Sequence, residues 1–144
     1  MRKQLPFFLA ALFFCVSNAE AASDRLWAAV VVATKQASEN PSKHLRPYLP
    51  TIQKSFGYPY AYIRSEESKD VKLGKTQYLR PGDGFSFKLL CEEQQPAVYL
   101  AKVEAFQNDK FLFRTEVNLA RNEPLFIRGP EWGQKRILLL LAIE

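Results

Sequence analysis

Few residues in this sequence are of types that do chemistry. There is one histidine, His44, and there are two cysteines, Cys15 and Cys91. A nucleophilic centre needs a hydroxyl or thiol, a base to activate it and a group to orient the base. His44 stands between Lys43 and Arg46 with no carboxylate near it in sequence, and reads as a surface histidine. A zinc site of the Cys/His type needs about four ligands, more than the chain can supply. Cys91 ends the series Phe85, Phe87, Leu89, Cys91, which places it on the apolar face of a strand as a small buried hydrophobe. Glu92 and Glu93 follow it, whereas a reactive thiolate needs positive, partly exposed surroundings. The pairs Glu66-Glu67 and Glu92-Glu93 could serve glycosidic chemistry only if their carboxyl groups converged. Adjacent strand residues point to opposite faces, so both pairs read as solvated strand ends. Gly82-x-Gly84 lacks the strand and helix context of a phosphate loop and reads as a turn. These residues together point to a protein that is not an enzyme and uses no cofactor or metal.

Binding is the remaining kind of chemistry. Tyr58, Tyr60 and Tyr62 alternate with Pro59, Ala61 and Ile63, the spacing of side chains along one face of a strand. Exposed, such a stripe is a platform for sugar rings or peptide; buried, it packs under a neighbouring element. Pro59 restricts the segment to an edge or a bulge, and an edge can accept a partner strand. The chain has a net charge of +5. Residues 35–88 hold ten Lys and Arg against five acids, and residues 89–144 hold seven against eight. A basic half favours an anionic partner. The candidate binding residues are Tyr58, Tyr60, Tyr62, Arg64, Lys72 and Lys75.

The elements that must position these residues follow a leader. Arg2 and Lys3 precede an apolar run over residues 5–16, and Ala19-Glu20-Ala21 gives a small-residue cleavage box before Ala22. Residues 1–22 therefore read as a secretory signal peptide. The run is shorter than the ~20 residues that a membrane span requires. Phe14 before Cys15 argues against lipoprotein processing, which needs a small residue there. The mature chain, 23–144, is expected to be one domain with a charge of +4, a single cysteine and no internal disulfide.

Residues 26–33 (LWAAVVVA) read as a buried strand, and Ser38-Glu39-Asn40-Pro41-Ser42 as a loop. Leu45, Tyr48, Leu49, Ile52 and Phe56 step by threes and fours, so a helix is expected over about residues 44–56. Pro47 and Pro50 fit its first turn and Gly57 its end. Strands are expected around Tyr58–Ile63, at residues 71–79, from Phe85 to Cys91, from Ala97 to Ala105 and from Phe111 to Leu119. The segment 125–128 is expected to lead into a loop at 129–133, and residues 137–143 (ILLLLAI) to form an interior strand. About seven or eight short strands at ten-residue spacing and one short α-helix define a mainly β protein, an antiparallel β-sandwich or small barrel. No βαβ alternation is present.

The series 30–37, Asn40-Pro41, Leu45, Leu49, Phe56-Gly57-Tyr58, Tyr60 and Ile127-Arg128-Gly129-Pro130 before a terminal apolar strand resembles a set of small, uncharacterised exported bacterial proteins. That resemblance implies an all-β fold with one N-terminal helix and an exported location, periplasmic or extracellular. It implies no activity and no site residues. The expected function is to bind or scaffold a cell-envelope component, most naturally an envelope protein. The alternative is a glycan or acidic cell-wall polymer held by the tyrosines and a basic face. No nucleic-acid signature appears, and no transmembrane helix is expected after leader cleavage.

Overall fold

The computed structural model describes residues 24–37 and 42–144. The expected leader, Cys15 and loop residues 38–41 lie outside the described residues. Eight strands form two antiparallel four-stranded sheets that do not close into a barrel. The fold is a β-sandwich with one short helix on its outer side. Sheet A has the order β2-β1-β8-β7 and sheet B the order β3-β4-β5-β6. The strands of sheet A are β1 (Arg25–Thr34), β2 (Tyr60–Asp70), β7 (Leu125–Trp132) and β8 (Lys135–Ile143). Those of sheet B are β3 (Thr76–Gly82), β4 (Phe85–Gln95), β5 (Val98–Gln107) and β6 (Lys110–Ala120).

The continuous apolar runs occupy the centre of sheet A because both faces there are covered. Leu26, Ala28 and Val30 of β1, with Leu139, Leu141 and Ile143 of β8, face sheet B and meet Leu79, Phe87, Leu89, Cys91, Ala101 and Val103. Trp27, Ala29, Val31 and Ala33, with Leu138, Leu140 and Ala142, face the other way and lie under Leu45, Tyr48 and Ile52. The helical segment is a 3-10 turn at Arg46–Tyr48 running into α1 (Leu49–Phe56). Pro50 lies in the first turn of α1, where a missing N–H leaves no bond unmade. Gly57 ends the helix at φ 74° and donates its N–H to the Gln53 carbonyl. Sheet B has one face in the core and one in water, and its strands accordingly alternate. Its tight hairpins turn on Asp83-Gly84 (φ 54° and 76°) and Asn108-Asp109 (φ 49° and 63°), the left-handed pairs of type I′ turns.

Several expected boundaries are corrected. Residues 71–75 connect β2 to β3 and are not strand. The polar stretch Arg64 to Asp70 continues β2, held by backbone pairing to β1, so Glu66 and Glu67 lie mid-strand rather than at a strand end. Ala97 is a turn residue at φ 62°. The segment 129–132 is part of β7, with a register shift between Arg128 and Glu131 that accommodates Pro130.

One end of the sandwich is clamped by Asp24. It accepts a hydrogen bond from the Tyr99 hydroxyl and pairs with Arg121 at 2.6 Å. The Tyr99 bond, reinforced by Arg121, holds the Asp24 carboxyl below its ordinary value of 3.8, against the effect of burial. The same bond, with burial, pushes the Tyr99 hydroxyl up to about 12. A carboxyl with a depressed folded-state pKa stabilises the fold above its unfolded value, and that stabilisation is lost as the pH falls through the folded value. The stability advantage of the wild type over Asp24→Asn is therefore expected to be constant near neutrality and to shrink as the pH drops below about 4. Urea titrations of both proteins at a series of pH values check this; an advantage that persists undiminished at low pH contradicts it.

Candidate functional site: an aromatic and cationic shelf

The two sheets differ in reach. Gly82 ends β3 directly against Ser65 of β2. Sheet A continues past that point from Arg64 to Tyr60, an overhang of about 16 Å at ~3.3 Å per residue. On the overhang, pairing places Tyr60, Thr34, Lys135 and Trp132 in one row across β2, β1, β8 and β7. Tyr62, Val32 and Ile137 form the next row. Directly opposed residues share a face, and Ile137 packs against the inter-sheet core. Both rows therefore lie on the face of sheet A that sheet B covers elsewhere.

Cations gather on this shelf. The Arg64 guanidinium lies 5.2 Å from the centroid of the Trp132 ring. The Lys135 ammonium lies 5.6 Å from the same ring and 5.7 Å from that of Tyr62. Such positions draw a cation to the negative face of an aromatic ring. Arg64 is the residue left between Ile63 and Ser65 where the β1–β2 register shifts, and a bulge of this kind re-aims a side chain. Trp132 is 51% and Tyr60 42% exposed. A hollow of about 370 Å³ opens beside them, lined by Thr34, Gln36, Trp132, Gly133, Gln134 and Lys135. A second hollow, of about 340 Å³, lies on the outer face of sheet B. There Lys88, Glu104 and Arg114 oppose one another across three strands, and Arg114 is bonded to Glu104. That face sets three cations against two acids, and none of its lining residues is aromatic. The shelf is the better binding candidate.

The six residues singled out by sequence do not all meet. Tyr60, Tyr62 and Arg64 are on the shelf. Tyr58 precedes β2 and packs with Ile63 and Phe56 on the helix side of sheet A, so the tyrosine stripe is not continuous. Lys72 and Lys75 belong to the β2–β3 connection, at the far end of β2. Sequence reasoning missed Trp132 and Lys135, because periodicity within a strand carries no information about which strands become neighbours. The hairpin turn at Gly133, φ 63°, was the local signal that these two residues face each other.

His44 is not the isolated surface residue the sequence implied. Its Nε2 lies 2.6 Å from Glu144 Oε2, and its Nδ1 lies 3.5 Å from Glu66. Its ring stacks on Trp27 at 3.8 Å. Trp27 donates its indole N–H to Glu66 at 3.1 Å, and Tyr48 donates its hydroxyl to Glu144 at 3.4 Å. Burial, with the charge of Glu144, pushes the Tyr48 hydroxyl up to about 12. Both imidazole nitrogens lie against carboxylates. Cys91 is buried between the sheets, and that burial pushes its thiol up to about 11.

The fold and the shelf define the class as a two-sheet β-sandwich with an overhanging aromatic and cationic face. Comparison with protein-family models, curated proteins and solved structures finds no match to this chain. Among the described residues no helix is long and apolar enough to cross a membrane.

Proposed function

We propose that this protein is an exported, non-catalytic binding module whose shelf takes up an acidic polysaccharide of the cell envelope. The observation that carries this reading is the Trp132 ring with both Arg64 and Lys135 beside it, Tyr60 in its own row and Tyr62 in the next. Aromatic faces stack on sugar rings, and the cations match acid groups on the same polymer. The positions of His44 and Cys91 favour binding over nucleophilic chemistry. Strand addition by a protein partner is weakened by the edge itself. β2 is an edge strand, but Arg64 to Asp70 is a bulged and heavily charged stretch, a composition that guards an edge against pairing.

Affinity electrophoresis through polygalacturonate, with neutral dextran as control, tests the reading. The wild type is expected to be retarded by the acidic polymer alone, less so as salt rises. Trp132→Ala is expected to weaken retention about tenfold, the loss of a stacked ring and two cation seats. Lys135→Gln should act in the same direction. Absence of retention by the acidic polymer, or wild-type retention by both variants, would overturn the proposal.

A further inference from the structure

The two cations of the shelf are not equivalent. Among the described residues Lys135 pairs with no carboxylate, whereas Arg64 Nε is 3.0 Å from Asp83 Oδ2. Asp83 is the first residue of the Asp83-Gly84 turn at the tip of the β3–β4 hairpin, where sheet B stops short of the overhang. Its side chain is 28% and that of Arg64 43% exposed, so the pair sits at the lip of the shelf and within reach of a solute. An acid group from sheet B thus already occupies the cation that leans over Trp132.

We propose that Asp83 is an internal competitor for the shelf, standing where an acid group of the ligand would sit, so that an incoming polyanion must displace it from Arg64. The inference rests on the acidic-polysaccharide reading of the shelf. Lys135 offers the first contact, and Arg64 changes partners from Asp83 to the ligand. The exchange forms one ion pair as it breaks another. Exposed pairs of this kind are weak, which keeps the exchange reversible, and the internal partner sets a threshold on how acidic a ligand must be. A polymer with sparse acid groups gains too little to open the pair, and a densely acidic one gains enough.

The test uses Asp83→Asn. Asparagine suits the left-handed position of a type I′ turn, so the hairpin is retained while the charge is removed. Retention by polygalacturonate is expected to tighten about two- to fivefold, the range of one exposed ion pair, with no change towards dextran. The gain is expected to vanish in Arg64→Gln/Asp83→Asn compared with Arg64→Gln, because the competitor acts through Arg64. Equal or weaker retention of Asp83→Asn overturns the inference. So does a gain that survives without Arg64, which would mark general repulsion. If the wild type binds and Asp83→Asn gains nothing, only the competitor falls. If neither protein is retained, the reading of the shelf falls with it.

Discussion

Trp27→Ala is expected to remove about 3–5 kcal/mol of folding stability, the cost of deleting a large aromatic from a close-packed interior. Trp27 is 1% exposed and belongs to the core cluster between sheet A and the helical segment. It also holds other groups in place. His44 and Tyr48 stack on its ring at 3.8 and 5.6 Å, and Glu66 takes its indole N–H. Alanine would leave a cavity under the helix and deprive Glu66 of a donor. Domains of this size are held by roughly 5–15 kcal/mol in all, so the variant should be close to unfolding at room temperature. Trp27→Phe keeps much of the ring volume while losing the donor and one ring of the indole, and should cost well under half as much. Urea denaturation of the three proteins gives the comparison. A loss below about 1 kcal/mol for alanine would show that the site collapses around the missing ring instead of leaving a void.

Gly82→Ala carries the second large effect, of about 3 kcal/mol or more, built from two independent terms. Gly82 has φ 131°, a conformation that side chains enter only at ~1–3 kcal/mol of strain. A β-carbon there would also lie 2.8 Å from Ser65 Cβ and closer still to its hydroxyl, and overpacking of that kind costs about 1–3 kcal/mol. The two terms separate experimentally. Ser65→Gly in the same chain removes the obstacle but not the backbone strain, so the double variant should recover roughly half of the loss. Full recovery would mean that the backbone tolerates the substitution, and no recovery that the steric term was absent. Because this contact fixes where sheet B ends against sheet A, the single variant should also disturb the pairing of Asp83 with Arg64.

The elements legible in the sequence were those whose side chains report their surroundings. β1 and β8 show as unbroken apolar runs because both of their faces are covered, and β4, β5 and β6 alternate because one face is wet. The helix was visible in the spacing of Leu45, Tyr48, Ile52 and Phe56. β2 beyond Ile63 was not visible. Its residues Arg64, Ser65, Glu66, Glu67, Ser68, Lys69 and Asp70 are polar, and the strand exists through backbone hydrogen bonds to β1, which leave no mark on composition. β7 was hidden for a related reason, since Gly129 and Pro130 signal a loop yet sit in a bulged edge strand. Three of the five proposed binding residues were found because Tyr60, Tyr62 and Arg64 follow one another. Trp132, Lys135 and Asp83 join them from distant segments, and Glu144 reaches His44 across 100 residues. No local pattern encodes such meetings.

The central place of β8 bears on the order of folding. β1, near the start of the described chain, has β8 as one of its two neighbours, and Arg25 and Glu144 exchange backbone hydrogen bonds. The middle of sheet A cannot assemble until β1 and β8 have met. Contacts of such long sequence separation are closed slowly, because the entropy of the intervening loop must be overcome first. A chain of this topology keeps the centre of sheet A open until β8 docks against β1. β8 works as a latch: the contact that completes sheet A is also among the slowest to form, so the architecture sets its own pace of closing.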